Sequence, residues 1–147
     1  MPDSSIFTKI EDIILQDDIR GMKALREHMK EGWLEKSAQL LLDHPGKILI
    51  ATGFYIIRAQ EPETDGPPGA VAIAEALKAL GNTVAYVTDK HCTVAMRKIA
   101  GDDEVIDFPI TTHRESSEFA HKLLVQHAPS ALVSIERAGL LGDGTYR

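Results

Sequence analysis

An α/β fold, with a doubly wound and mainly parallel four-stranded sheet behind two leading N-terminal helices, is predicted by three features of this 147-residue sequence. Short, continuous apolar runs recur at residues 47–51, 83–87, 104–108 and 131–135, the pattern of strands covered on both faces. Stretches with helical spacing separate them, each long enough to cross from one parallel strand to the next. Turn and cap residues fall at the junctions.

The elements follow in order. Ile10, Ile13, Ile14, Met22, Leu25 and Met29 outline an amphipathic region with a weak point at Gly21, and Trp33, Leu34, Ala38, Leu41 and Leu42 outline a second stripe. His44-Pro45-Gly46 stops the second helix, because Pro45 has no N–H to donate and Gly46 tolerates a turn. The first strand, Lys47-Ile48-Leu49-Ile50-Ala51, comes next. Helices are expected over residues 69–80, 90–100 and 113–127. Gly81 and Gly101 sit where C-terminal caps belong, and Thr112 with Glu115 forms a capping box. The Pro/Gly-rich stretch 61–69 fits a strand-to-helix loop, so a single domain over residues 1–147 is the simplest count. A Rossmann-like strand order of 3-2-1-4 would put the switch point between the first and fourth strands. Their carboxyl ends would then frame the ligand crevice.

Composition narrows the partners. Hydrophobic residues make up 44% and charged residues 26%, enough for one globular core. Sixteen Lys+Arg against 22 Asp+Glu give a net charge of −6 without a basic block, which argues against nucleic acid. The longest apolar run, Ile48 to Ile57, is interrupted by Thr52 and Gly53 and covers about half of what a membrane helix needs. Asp3, Glu11, Asp12, Asp17 and Asp18 precede or crowd the first arginine, Arg20, the reverse of a basic targeting segment, and a cytoplasmic location is expected. Cys92 is the single cysteine, so no internal disulfide and no thiolate metal cage forms. It reads as a small buried hydrophobe, and the adjacent His91 would point away from it. The six histidines show no H-x-x-x-H pair.

The expected switch point brings two segments together. Residues 52–69 carry Glu63 and Asp65 just before a helix start that two prolines, Pro67 and Pro68, deprive of N–H donors. Such a loop suits a cation or a substrate ammonium group better than a phosphate, and neither a G-x-G-x-x-G nor a P-loop pattern is present. The plainer alternative is that Asp65 caps the helix and Glu63 is solvated. Glu136 and Arg137 come directly off the fourth strand, as a metal ligand or base and a fork for a substrate carboxylate, or simply as a surface ion pair. Asp89, at the end of the second strand, fits capping of the next helix better than a ribose contact.

Three segments carry a family resemblance: Thr52-Gly53-Phe54, the string Glu63-Thr64-Asp65-Gly66-Pro67-Pro68-Gly69-Ala70, and Ile135-Glu136-Arg137 with Gly142-Asp143-Gly144-Thr145-Tyr146-Arg147. From about Ile48 onward the chain resembles the D-glutamate cyclase-like C-terminal domain. Where that family usually has proline and glycine after the glutamate-arginine pair, this chain has Ala138-Gly139. Family domains continue past the segment matched at Asp143 to Tyr146, so the resemblance implies the N-terminal part of a longer domain. It also implies a Rossmann-like fold and, in active members, conversion of D-glutamate to 5-oxo-D-proline and water.

That chemistry needs a base, an electrophile and an anion clamp. Asp65, Glu136 and Arg137 are the expected catalytic residues. Gly53, Thr64, Gly66, Arg137 and Asp143 are expected around the substrate, and Glu63, Asp65 and Glu136 around a divalent metal, for which oxygen ligands favour Mn or Mg. The expected partners are a small acidic amino acid such as D-glutamate and a second copy in a homodimer. A non-catalytic α/β module that binds a small acidic metabolite is the alternative function.

Overall fold

The sheet is built around β1 (Lys47–Gly53), which pairs in parallel with β4 (Thr83–Thr88) on one side and β6 (Ala131–Arg137) on the other. A computed structural model describes residues 4–16, 19 and 21–139 of the chain. Next to β4 lies β5 (Glu104–Asp107), also parallel, so the order is β5-β4-β1-β6. This is the 3-2-1-4 order expected from the sequence, and the α/β doubly wound fold stands.

The described residues form two compact units, one ending at His44 and one starting at Pro45. In the first, α1 (Ser4–Ile14) is followed by a short 3-10 helix (Met22–His28) and by α2 (Trp33–Asp43). The expected continuous amphipathic region therefore divides, and Gly21, at φ +75°, starts the second piece in a left-handed conformation. Glu11, 5% exposed, is the polar anchor of this unit. Its carboxylate accepts from the Leu34 amide at 3.2 Å and from Arg26 at 3.3 Å, while Asp12 takes the other Arg26 nitrogen at 2.5 Å.

In the second unit, α3 (Gly66–Ala79) packs on β1, β4 and β6, and α4 (Thr93–Ile99) packs on β5 and α3. Side chains alternate across a strand, so Ile48, Ile50 and Thr52 face α3 while Leu49 and Ala51 face the opposite side. On that side α5 (His113–His127) lays Leu123 and Phe119 against Leu49, Ala85 and Val87. The ends of these helices carry the expected signals. Thr112 and Glu115 form the full capping box of α5. Gly81, at φ +87°, ends α3 in a Schellman turn, with the Gly81 and Asn82 amides donating to the carbonyls of Lys78 and Leu77.

Two expectations are corrected. β5 and β6 are half-exposed edge strands rather than strands buried on both faces, and Leu132 on β6 is 57% exposed. Its apolar sequence signalled one covered face, and continuity over five residues did not distinguish that from two. The stretch after β1 is not plain loop, because β2 (Tyr55–Ile56) and β3 (Glu61–Pro62) form a small antiparallel hairpin. Its turn, Ile57-Arg58-Ala59-Gln60, lacks glycine and asparagine and places Gln60 at φ +55°, so no turn signal marked it.

Candidate active site at the carboxyl ends of the strands

The carboxyl ends of β1, β4 and β6 gather the chemistry, and a bulge in β6 sorts it. Register runs evenly from Ile48↔Ala131 to Thr52↔Ile135 and then jumps to Gly53↔Arg137, leaving Glu136 without a partner on β1. Glu136 takes φ +46°, a strained choice for a side chain with a Cβ. The extra residue changes which way each neighbour points. Glu136 lies over the start of α3, whereas Arg137 turns toward the end of β4.

On the α3 side Glu136 meets Glu63 and Asp65, and one oxygen of each carboxylate lies within 4.8 Å of the others. Glu63 is held where it is by its amide, which donates to the Phe54 carbonyl at 2.7 Å across the base of the hairpin. Asp65 is the N-cap of α3 and accepts from the Gly66 amide at 3.0 Å, so the expected capping is present while its carboxylate also stands close to those of Glu63 and Glu136. Gly66 permits the approach. A Cβ there would fall 2.6 Å from Glu136 Cβ and 2.9 Å from Thr52 Oγ1, closer than atoms tolerate. Thr64 sits exposed between the two acids. The helix begins three residues earlier than its sequence pattern indicated, because prolines fit the first turn at no hydrogen-bond cost.

Arg137 has a different set of partners. Its Nη1 donates to the Gly53 carbonyl at 3.0 Å and forms an ion pair with Asp89, whose side chain is almost fully enclosed. The other Asp89 oxygen accepts from the His91 amide at 2.9 Å, and the His91 ring stacks on Tyr55 with centroids 4.2 Å apart. Asp89 therefore does not cap the next helix, whose N-cap is Cys92; it closes the turn that leads there and neutralises the arginine. No sequence signal marks this role of Asp89, because its partner lies 48 residues away on a strand whose bulge has no residue signature. Gly53, at φ +108°, is packed so tightly that a Cβ would lie 2.6 Å from Thr88 Oγ1 and 2.9 Å from the Cys92 side chain. Cys92 is fully buried, as expected, and burial followed by the Asp89 charge pushes its thiol up from the ordinary range.

Beyond Arg137, on the α5 face, opens a cavity of about 670 Å³ lined by Val87, Phe108, Leu123, Leu124 and Leu132 among others. Its walls are mainly apolar, with polar groups from Thr111, His113, Ser116 and the Arg137–Asp89 pair among them. The carboxylate side offers closely spaced oxygen donors, which suit a cation or an ammonium group. Asp143, expected beside the substrate, lies outside the described residues.

Among the described residues no helix is long and apolar enough to cross a membrane. The family model of the D-glutamate cyclase-like C-terminal domain matches residues 10–147. Human mitochondrial D-glutamate cyclase is 39% identical over 123 residues, an alignment that covers 74% of this chain and 20% of the relative. With the match extending over most of its length, the chain belongs to the D-glutamate cyclase-like C-terminal family.

Proposed function

We propose that this chain carries the acidic half of a hydro-lyase site that converts D-glutamate to 5-oxo-D-proline and water. The observation that carries this reading is the convergence of Glu63, Asp65 and Glu136 at a bulge-shaped strand end, in a chain whose relative is named for the reaction. In the cyclisation the substrate amine, once neutral, attacks its own side-chain carboxyl carbon. A C–N bond forms, a C–O bond breaks, and the oxygen leaves as water with two of the three ammonium protons, the third staying on the lactam nitrogen. Asp65 or Glu136 accepts the ammonium proton and returns it to the departing oxygen, and Glu63 keeps the cluster anionic. Arg137 lines the cavity on the α5 side, and a substrate reaching over the end of β1 from the cluster would present a carboxylate to the part of its guanidinium not spent on Asp89 and Gly53.

A cluster of three carboxylates repels an acidic substrate unless a cation stands between them. The donor set is all oxygen and closely spaced, which fits Mn or Mg, with Glu63, Asp65 and Glu136 as the holders. When bound, such an ion would polarise the carboxyl that is attacked. The alternative, a non-catalytic module for a small acidic metabolite, draws support from Asp89 already neutralising Arg137, the arginine that the described residues place at these strand ends. The position of β6 at the edge of the described sheet favours a homodimer.

Proton NMR of the purified chain with D-glutamate or L-glutamate, each with and without manganese, separates these readings. Growth of 5-oxoproline signals from D-glutamate supports the cyclase. Manganese-dependent binding of D-glutamate without product establishes the binding module instead.

A further inference from the structure

Thr52 stands at the end of β1 facing α3, fully buried, and among the described residues its hydroxyl has no hydrogen-bond partner. An enclosed hydroxyl without a partner is a standing cost that a valine of the same shape would avoid. The hydroxyl is not in a random place. Thr52 Oγ1 and Glu136 Cβ both lie within 3 Å of the point where Gly66 lacks a Cβ, so the hydroxyl sits beside the residue that follows Asp65 and close to the stem of Glu136. Its position alternates with Ala51 and Gly53, so the strand places the side chain on the α3 face that carries the cluster.

We propose that Thr52 supplies the buried oxygen of a divalent-cation site whose outer oxygens come from Glu63, Asp65 and Glu136. The proposal rests on the cation reading above and adds to it a neutral oxygen donor that no acidic motif would reveal. Hard cations such as Mn and Mg accept neutral oxygens readily and prefer six of them, more than three monodentate carboxylates supply. Gly66 then has a reason to lack a side chain, since a methyl group would fill the space between Thr52 and Glu136.

The test compares the wild-type chain with Thr52→Val, Thr52→Ser and Glu136→Gln by calorimetric titration with MnCl2 and by thermal unfolding with and without the ion. Thr52→Val is expected to unfold roughly 2–4 °C higher than wild type without manganese, because the orphan hydroxyl is gone. The same variant is expected to bind manganese about tenfold more weakly and to gain less from it on heating. Thr52→Ser, which keeps the hydroxyl, is expected to retain wild-type affinity. Wild-type affinity in Thr52→Val, with weakened binding in Glu136→Gln, overturns the role of Thr52 and leaves the carboxylate site standing. A Thr52→Val chain less stable than wild type without the ion also overturns it, since the hydroxyl would then have a partner in the protein. Absence of any manganese effect on the wild-type chain removes the cation reading and the proposal together.

Discussion

The two sides of the sheet at the carboxyl ends of β1 and β6 are chemically opposite, although two consecutive residues serve them. On the α3 side three carboxylates, half-buried at Glu63 and exposed at Asp65 and Glu136, gather beside a buried threonine hydroxyl and a glycine that admits no side chain. On the α5 side lies a wide, mainly apolar cavity with the Arg137–Asp89 pair in its lining. A regular strand would also send Glu136 and Arg137 to opposite faces, but it would give Glu136 the face of Leu132 and Ser134. The bulge reverses that assignment and places the acid over α3. One inserted residue thus decides which face holds the charge-handling site.

The largest effect expected on the α3 side is catalytic. Asp65→Asn and Glu136→Gln should each lower D-glutamate turnover at least 100-fold while leaving the unfolding midpoint near that of wild type. Retained turnover in both would move the chemistry off this side. Gly53→Ala probes the seam between the two sides. Its Cβ would meet Thr88 and Cys92 at 2.6 and 2.9 Å from a left-handed backbone, and a loss of about 3 kcal/mol is expected in urea unfolding.

Asp89→Ala sharpens the comparison on the other side. It leaves Arg137 without its counterion, but the guanidinium is partly solvated, so a loss of about 2 kcal/mol is expected, below the full cost of stranding a buried charge. A smaller effect concerns pH. The folded state holds the Cys92 proton above the range of a free thiol, so this contribution is intact below about pH 8.5 and lost as pH rises toward the folded thiol's range. Unfolding followed from pH 7 to pH 10 in wild type and Cys92→Ala should show a steeper alkaline loss in wild type. Thr112→Ala, far from both sites, should cost about 1 kcal/mol through the α5 cap and leave turnover unchanged.

Much of this arrangement is legible in the sequence. The apolar runs and helix signals predict a parallel sheet, because parallel neighbours need crossovers and the capping chemistry of Thr112, Glu115 and Gly81 is local, while the 3-2-1-4 order enters as the Rossmann-like case. Once that order is set, the loop carrying Glu63 and Asp65 must lie beside the end of β6, and the carboxylate cluster follows. What stays hidden is non-local or lacks a residue signature. The β6 bulge falls on a glutamate rather than a glycine, the hairpin turns on Ile57 to Gln60, and the Asp89–Arg137 pair joins strands that β1 separates. The resemblance marks the segment of Thr52 but not the role of its hydroxyl, which shows only in three dimensions, where it lacks a partner and lies beside Gly66 and Glu136.

The account stands most directly on where a cation sits, and paramagnetic broadening by manganese in an amide NMR spectrum of the uniformly 15N-labelled chain reports that position residue by residue. The account predicts that substoichiometric manganese erases the amide signals of Thr52, Glu63, Asp65, Gly66 and Glu136 first, with Leu123 and Leu132 on the α5 side still sharp. Broadening centred on the α5 side, or spread evenly over the surface acids, would contradict it.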